Sequence, residues 1–278
     1  FFWDGNNRGY YLKYYFLAFF LILLSILSFF LNNLVKSYFF IIFLSTIFCL
    51  YLFEGYLIIN IIKNNQYNKK IYNFEYETRS RLEIYEDYKL QNPNVAVTVS
   101  PSIYLKKDEL KIFPFSGKSK SLTIFCNENG YFSIYESDKY GFNNPIGEWN
   151  NDKFEYLIIG DSFTHGACVN RPFDIASRLR SLTNKKVLNI GYGGNGPLIE
   201  YAALREYLPK NVKNVVWLYM NGDMDNLRKE IQNQILTKYL SDENFTQNLK
   251  NKQKIIDRIV VENIDLENQK AKNKVSFS

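Results

Sequence analysis

The sequence predicts an α/β fold in which helices cover both faces of a doubly wound parallel sheet, preceded by two helices that span a membrane. Short apolar runs alternate with amphipathic helical stretches across residues 156–220, as in a right-handed βαβαβ unit. Each of the three apolar runs in that region ends in a loop rich in Gly, Asp or Asn. Two long apolar segments lie near the N-terminus, within residues 1–62.

The length and composition of the chain limit its organisation and its partners. A chain of 278 residues has room for one domain with additions, or for two small domains. We divide it into a helical hairpin over residues 1–62, a linker helix with an irregular β-rich lead-in over 63–150, and an α/β domain with a polar helical tail over 151–278. The net charge of +6 is spread without a dense basic block, which fits an anionic membrane face better than nucleic acid.

Two apolar segments predict a membrane hairpin. Residues 14–31 carry no charge and are close to the roughly 17–25 residues that cross a bilayer core. Residues 38–60 form a second apolar segment, interrupted by Glu54, and a short linker with Lys36 separates the two. A signal peptide, which has a single shorter apolar region, and a buried pair of soluble helices are the alternatives. We expect the chain to lie in a membrane, such as a bacterial inner membrane.

The lead-in is predicted to contain a β-hairpin, preceded by a charged helix over residues 63–92. Residues 122–125 and 131–135 alternate between apolar and polar like half-buried strands, and the Glu-Asn-Gly sequence at 128–130 supplies the turn. No residue of the lead-in indicates a function by itself.

In the α/β part, we predict three strands joined by two helices, followed by a very polar helical tail after residue 227. The strands are expected at 156–161, 186–190 and 214–220, with helices at 173–181 and 198–208. We expect the strands to be parallel and adjacent, because the loops that follow them then meet at one edge. Open α/β sheets bind their ligands at that edge.

The cysteines and the glycine-rich loop predict no metal and no cofactor. Cys49, Cys126 and Cys168 show no metal-ligand spacing and cannot all pair, so we expect no structural disulfide, with a Cys126–Cys168 bond as the open alternative. The loop over residues 191–196 has the glycines of a phosphate-binding turn. It lacks the acidic residue expected at the end of the next strand, which makes nucleotide binding the weaker interpretation.

A serine directly follows the first predicted strand of the sheet. Residues 160–166 read Gly-Asp-Ser-Phe-Thr-His-Gly, which places Ser162 at the carboxyl end of the strand, where its hydroxyl can face solvent. Asp and Ser are also preferred helix N-caps, so a purely structural cap is the alternative. The string resembles block I of the SGNH/GDSL hydrolases, in which the serine is the nucleophile. This resemblance implies a flavodoxin-like three-layer sheet, present here in part, with Ser162 as the catalytic residue.

The loops after the other two strands are similar to the second and third blocks of that family. By this resemblance, the N–H groups of Ser162 and Gly194 would bind the oxyanion. Asp223 stands where the family has an asparagine whose amide donates the third oxyanion hydrogen bond. An ionised carboxylate only accepts hydrogen bonds, so Asp223 would repel a developing oxyanion.

Asparagine and histidine side chains nearby are candidates for the roles left open. Asn221, Asn195 or Asn226 would have to supply the missing amide donor. The family's Asp-x-x-His string, which supplies the base, does not occur here, and the only histidine is His165, three residues after Ser162. Because that spacing is poorly suited to in-line proton transfer, we expect the chain to be a piece of a longer protein that carries the base elsewhere.

The resemblance implies a membrane-anchored serine esterase or acyltransferase. Its partners would be the lipid bilayer and an acyl-ester substrate, such as O-acetyl groups of envelope glycans or lipids, and not nucleic acid. A catalytically inactive relative that binds a glycan, or acts as a scaffold, is the alternative. Basic residues around the apolar segments favour a cytoplasmic domain, whereas anchored members of this family often act outside the cytoplasm, so the side stays open.

Overall fold

The computed structural model describes residues 8–72, 76–107, 110–220 and 222–276. The chain forms two compact units, Phe1–Glu75 and Tyr76–Ser278. The lead-in after residue 75 therefore belongs to the same compact unit as the α/β part, with no boundary near residue 150.

The first unit consists of two helices, α1 (Arg8–Ser28) and α2 (Asn33–Tyr72). Within α2, the segment Asn33–Asn60 has a mean hydropathy of 2.0 and is long and apolar enough to cross a membrane, a test that a signal sequence also passes. Tyr14–Ile26 of α1 is a shorter apolar helix. The described part of the chain thus contains one helix of spanning length, and the two-helix hairpin stays a prediction.

The predicted linker between the two apolar segments is largely helical. Helix α2 begins at Asn33, whereas we expected an irregular linker as far as residue 37. The Asn32 side chain accepts a hydrogen bond from the Val35 N–H at 2.9 Å, which is the contact of an N-cap residue. This cap starts the helix about one turn earlier than the change from polar to apolar residues indicates.

The second unit opens with helix α3 (Arg81–Gln91) and a small mixed sheet. Strand β1 (Val95–Val97) is parallel to β2 (Leu122–Ile124), which pairs antiparallel with β3 (Ile134–Glu136). The β2–β3 pair confirms the hairpin predicted in the lead-in. A short 3₁₀ helix, Pro101–Lys106, follows β1.

The second sheet is the predicted parallel one. Strands β4 (Phe154–Ile159), β5 (Val187–Asn189) and β6 (Val212–Trp217) lie in the order β5-β4-β6, and both outer strands are parallel to β4. Strand β6 has no partner on its outer side among the described residues. Its Val215 and Trp217 side chains are 46% and 40% exposed.

Helices cover both faces of this sheet. Because successive residues of a strand point to opposite faces, Ile158 packs with Ala176 of α5 (Ile175–Thr183), whereas Leu157 and Ile159 join the large core cluster that contains α6 (Pro197–Tyr207). The described structure is thus mixed α/β with a three-layer parallel part. A short helix, α4 (Ser162–His165), follows β4.

The C-terminal tail, predicted to be polar and helical, also contributes buried apolar side chains to the core. It forms α7 (Asp223–Glu230), α8 (Gln234–Ser241) and α9 (Gln253–Ser276). Apolar side chains from α8 and α9 are fully buried in the main core: Leu236, Tyr239, Ile256 and Val260. The tail is therefore part of the folded unit.

A disulfide links the hairpin to the parallel sheet, and our expectation of no structural disulfide was wrong. Cys126 and Cys168 are bonded, with Cα atoms 4.9 Å apart and a separation of 42 positions in sequence. The Asn129 side chain donates to the Cys168 carbonyl at 3.1 Å, and the Asn170 side chain accepts from the Ile134 N–H at 2.9 Å. These long-range contacts bring the two loops together, and cysteine spacing alone could not reveal them.

Candidate active site

The turn from β4 into α4 presents Ser162 at the carboxyl edge of the parallel sheet. Asp161 caps the turn, since its side chain accepts from the Phe163 N–H at 3.0 Å. Ser162 is half-buried, and among the described residues neither its hydroxyl nor its N–H has a hydrogen-bond partner. Glycine is required at position 160, because a Cβ there would overlap the Thr164 hydroxyl and the Leu218 carbonyl. Ser162 therefore starts a tightly packed turn in which its hydroxyl and N–H have no partner within the described part of the chain, while its carbonyl accepts from the Ala167 N–H at 2.9 Å.

The loop after β5 lies beside this turn. The Tyr192 N–H donates to the Gly160 carbonyl at 3.1 Å, which ties the loop to the end of β4. Gly194 follows two residues later with φ +81°, a left-handed conformation that favours glycine. A Cβ at Gly194 would also overlap the Ser100 side chain. The sheet thus brings Ser162 and Gly194 to the same edge, as predicted from the strand order.

Asp223 lies at this edge as a buried carboxylate. It is 2% exposed and begins α7, and its side chain accepts from the Met220 N–H at 2.6 Å. Burial raises the pKa of the neighbouring Asp161 carboxyl, and the negative charge of Asp223 raises it further. Asp223 therefore closes its own turn and adds negative charge close to Ser162. Asn221, the predicted substitute donor, lies outside the described residues.

His165 is packed as a core residue. Its ring is fully buried and stacks on Tyr192, with centroids 4.3 Å apart. The Gly193 N–H donates to His165 Nδ1 at 3.0 Å, and His165 Nε2 lies 2.7 Å from the Tyr135 hydroxyl.

These contacts fix the protonation state of His165. Because Nδ1 accepts from a backbone N–H, it carries no proton, and the neutral ring holds its proton on Nε2. Burial lowers the pKa of the imidazole to about 3. Neither ring nitrogen is free to take a proton from Ser162, so this geometry gives no support to His165 as the base.

Two buried glutamates complete the edge, and our sequence analysis did not identify them. Glu230 accepts from the N–H groups of Gly196 and Leu198 at 2.7 and 2.9 Å, which caps α6. Glu200, in the first turn of α6, accepts from Trp217 Nε1 at 2.5 Å. Burial, with the charges of nearby carboxylates, raises the pKa of Glu200 to about 8. Each contact joins distant parts of the chain, so no local sequence signal marks these residues.

Several buried polar atoms near this edge have no partner among the described residues. They are both amide atoms of Asn195, the Thr164 hydroxyl and one carboxyl oxygen of Glu200. An unsatisfied buried polar group costs about 1–3 kcal/mol, and folded proteins contain few of them. The three side chains belong to the segments around Ser162 and Gly194 and to the first turn of α6, and their unpaired atoms are enclosed by the protein.

A cavity of about 520 Å³ opens next to the Gly194 loop. Ser102, one of its lining residues, lies against Gly194, and Asn226, another, lies against Gly196. Lys106 and Lys229 also line it, and neither forms an ion pair within the described ranges. The lining therefore combines hydroxyl, amide and two ammonium groups with one carboxylate, that of Glu230, and suits a hydroxyl-rich ligand or one with net negative charge.

The carboxyl edge thus presents the Ser162 hydroxyl and the N–H groups of Ser162 and Gly194 without partners among the described residues, and a cavity lies next to the Gly194 loop. In the described ranges, no group of three or more His, Cys, Asp or Glu side chains is placed to hold a metal ion. Comparison with known proteins adds nothing further: no family model, curated protein or solved structure matches the chain.

Proposed function

We propose that this protein is a membrane-anchored, SGNH-like serine esterase or acyltransferase, with Ser162 as its nucleophile. The observation that carries the proposal is the turn from β4 into α4. It leaves the Ser162 hydroxyl and N–H unpaired at the carboxyl edge of a parallel sheet, beside the Gly194 loop. A purely structural cap does not need this, because Asp161 already caps the helix.

Backbone N–H groups of Ser162 and Gly194 would stabilise the oxyanion in this proposal. Both groups lack a partner in the described part of the chain. Asp223 cannot serve as the third donor while it is ionised. The Asn195 amide, next to Gly194, is buried without a partner and is our candidate to replace it. Loss of one oxyanion donor costs about 10²–10³ in rate in a comparable enzyme.

The base of this site is not His165. Serine is a weak nucleophile unless a neighbouring group takes its proton. Since both nitrogens of the only histidine are occupied, the proton acceptor is either a carboxyl of the edge, such as Glu200, or a group outside these 278 residues. A carboxyl with a pKa of about 8 is half-ionised in mildly alkaline solution, which suits proton transfer there.

The acyl-ester substrate would extend from Ser162 into the cavity beside Gly194. Asn226, three residues after Asp223 in α7, lines this cavity. The Lys106 and Lys229 ammonium groups favour an acceptor that carries negative charge. An O-acetylated envelope glycan or a lipid headgroup fits this description.

The anchor in this proposal is the α1–α2 hairpin, with the folded unit on the oxidising side of the membrane. Disulfides persist in oxidising compartments and are rare in the cytosol, so the Cys126–Cys168 bond outweighs a small excess of basic residues. Maleimide treatment of the chain, extracted without reductant, should label Cys49 alone. Labelling of Cys126 and Cys168 in chain taken directly from cells would place the unit in a reducing compartment.

A binding protein without catalysis is the second candidate. The engaged His165 ring and the buried Asp223 carboxylate favour it, because each occupies a position where catalysis needs a free base or a donor. The same cavity would then hold a glycan without cleaving it. The two candidates share the binding surface and differ only in the role of Ser162.

Turnover of a small activated acetyl ester by the full chain in detergent separates the two. For an isolated site without its base, we expect weak turnover that depends on Ser162, within the roughly 10³–10⁴ over water that binding and an oxyanion hole supply. Ser162→Ala should abolish it, whereas Ser177→Ala, a serine of α5, should not.

A turnover that Ser162→Ala leaves unchanged would contradict the enzyme and support the binding protein. Glu200→Gln tests the source of the base. A base with a pKa of about 8 makes the rate rise as the pH is raised through 8. Loss of that rise in the variant would assign proton transfer to Glu200, and an unchanged profile would show that Glu200 is not the base.

A further inference from the structure

Five lysines gather at the amino ends of the three parallel strands, opposite the Ser162 edge. They come from three separate stretches of the sequence and line one open cavity of about 510 Å³: Lys153, Lys185, Lys186, Lys210 and Lys213. We refer to these five residues as the amino-end lysines. All five are exposed.

The sheet topology assembles this cluster. Lys153 directly precedes β4, Lys186 directly precedes β5, and Lys213 lies at the start of β6. Because the three strands are parallel, their starts lie at one edge and their carboxyl ends at the other. The lysines are therefore on the face of the unit that lies away from Ser162.

Most of this charge is not neutralised within the protein. Lys213 forms an ion pair with Glu155 at 2.7 Å. The other four amino-end lysines form no ion pair in the described ranges of the chain, and Asp152 is the one further acidic neighbour in sequence. Like charges held close together repel each other, so the cluster brings the fold no stability of its own. An exposed cluster of positive charge of this kind suits the binding of an anionic partner.

We propose that the amino-end lysines dock the folded unit on the anionic headgroups of the bilayer that anchors the chain. This inference rests on the membrane anchor of the proposed function. The apolar segment ends at Asn60, and the folded unit begins at Tyr76, so the unit is tethered within reach of the headgroups. Lysines near an anionic bilayer each favour docking about five-fold.

The observations favour a bilayer over single-stranded nucleic acid. Nucleic-acid channels pair basic residues with exposed aromatic rings on which bases stack. The only aromatic residue that lines this cavity, Phe154, is 3% exposed. Docking through the lysine face points the opposite edge, with Ser162, away from the bilayer. A membrane-docked unit would thus act on a substrate that extends outward, and not on the lipid beneath it.

Energy transfer from the protein to lipid-headgroup acceptors tests this orientation in the full chain. In a Cys49→Ser background, a donor dye is attached at Asn211→Cys, among the amino-end lysines, or at Met224→Cys, in α7 after Asp223. The chain is reconstituted in vesicles of neutral lipid, with or without about 30% anionic lipid. With anionic lipid, transfer from position 211 should rise above transfer from position 224. About 0.5 M salt should remove the difference, because the Debye length then falls below about 5 Å.

A matched pair of variants separates specific docking from net charge. Replacing Lys153, Lys185, Lys186 and Lys210 by Gln should reduce the docked population by roughly two to three orders of magnitude. Replacing four other exposed lysines by Gln removes the same charge and should leave docking intact: Lys111, Lys120, Lys238 and Lys254.

Equal transfer from both positions, or equal effects of the two variants, would overturn the docking proposal while the chain stays in the vesicles. Failure of the chain to enter vesicles of either composition would instead refute the anchor. Tighter binding of the lysine face to a single-stranded oligonucleotide than to anionic vesicles would assign the surface to nucleic acid and overturn the proposal.

Discussion

The two edges of the parallel sheet differ in the sign of their charged groups and in how deeply those groups are buried. At the carboxyl edge, Glu200 and Asp223 are buried, and the buried Asn195 amide has no partner among the residues that the structure describes. At the amino edge, charges of the other sign are exposed to solvent, as at Lys186 and Lys210. The same three strands carry both sets.

The difference shows where the fold gives up stability. Buried carboxyls and unpaired amides lower the stability of the native state, and proteins keep them mainly at functional sites. Exposed lysines cost little, so their clustering says more about a partner than about the fold. The carboxyl edge therefore carries the stronger argument for a chemical role, and the amino edge for a surface role. The experiments below measure how far the two edges differ.

Removal of the disulfide should give the largest change in stability. The Cys126–Cys168 bond closes a loop of 42 residues next to the carboxyl edge, and a loop of that length is worth about 4 kcal/mol. The Cys126→Ala/Cys168→Ala double variant should therefore unfold at much lower denaturant concentration, as followed by tryptophan fluorescence. Cys49→Ser, which removes the free cysteine, is the control. Identical unfolding of the wild type with and without reductant would contradict this expectation.

Replacing the buried glutamate of the carboxyl edge should stabilise the protein in alkaline solution. The pKa of Glu200 is raised to about 8 in the folded state, so the folded state binds its proton more tightly than the unfolded chain. Stability then falls by several kcal/mol as the pH rises from about 4.5 to about 8, and Glu200→Gln should remove that fall. Gln keeps an acceptor for Trp217. Denaturation midpoints of both proteins from pH 5 to 9 measure the effect, and parallel curves would show that Glu200 is ionised throughout.

The lone histidine should show almost no titration in the folded protein. Since burial lowers the pKa of His165 to about 3, its imidazole should stay neutral, with the proton on Nε2, from pH 5 to 9. As the unfolded chain binds this proton below about pH 6.5, stability should decline from there toward pH 3. The ring resonances in NMR spectra report on both features. A midpoint between pH 6 and 7 would show that the ring is accessible and would reopen its role as a base.

The smallest effect is expected at the amino edge. The Lys213–Glu155 pair is a solvent-exposed contact, with the lysine side chain 70% exposed. Exposed ion pairs of this kind contribute little to stability, and salt screens them. Lys213→Gln and Glu155→Gln should leave the denaturation midpoint close to that of the wild type. A shift as large as that of Glu200→Gln would remove the contrast between the two edges.

Local sequence patterns predicted the strands of the parallel sheet and the position of Ser162 after the first of them. The strands β4, β5 and β6 follow from apolar runs, and the position of Ser162 follows from the Gly-Asp-Ser turn directly after β4. The meeting of Ser162 and Gly194 at one edge follows from parallel topology. The identity of the nucleophile and of the oxyanion donors stays a prediction.

The features that the sequence did not reveal depend on contacts between residues that are far apart in the chain. Ser100 lies against Gly194, and Glu230 caps a helix that begins more than 30 residues earlier. The Cys126–Cys168 bond was an open alternative until the contacts around Asn129 showed why the two loops meet. Burial of His165 is likewise a property of packing. Its position three residues after Ser162 is the same in the sequence whether the ring is exposed to solvent or buried.

The unpaired outer side of β6 has a consequence for how the protein behaves in concentrated solution. No strand of the described chain pairs with this side, so its N–H and C=O groups, next to the half-exposed Val215 and Trp217 side chains, are a template for another strand. Two molecules that meet along this side can extend one sheet into the other, and further molecules can add only through other surfaces. Self-association should therefore rise with concentration and be suppressed by a charge placed within the strand, as in Val215→Lys. Purified material is best handled dilute, and crystals grown from it should be inspected for continuous sheets across molecules.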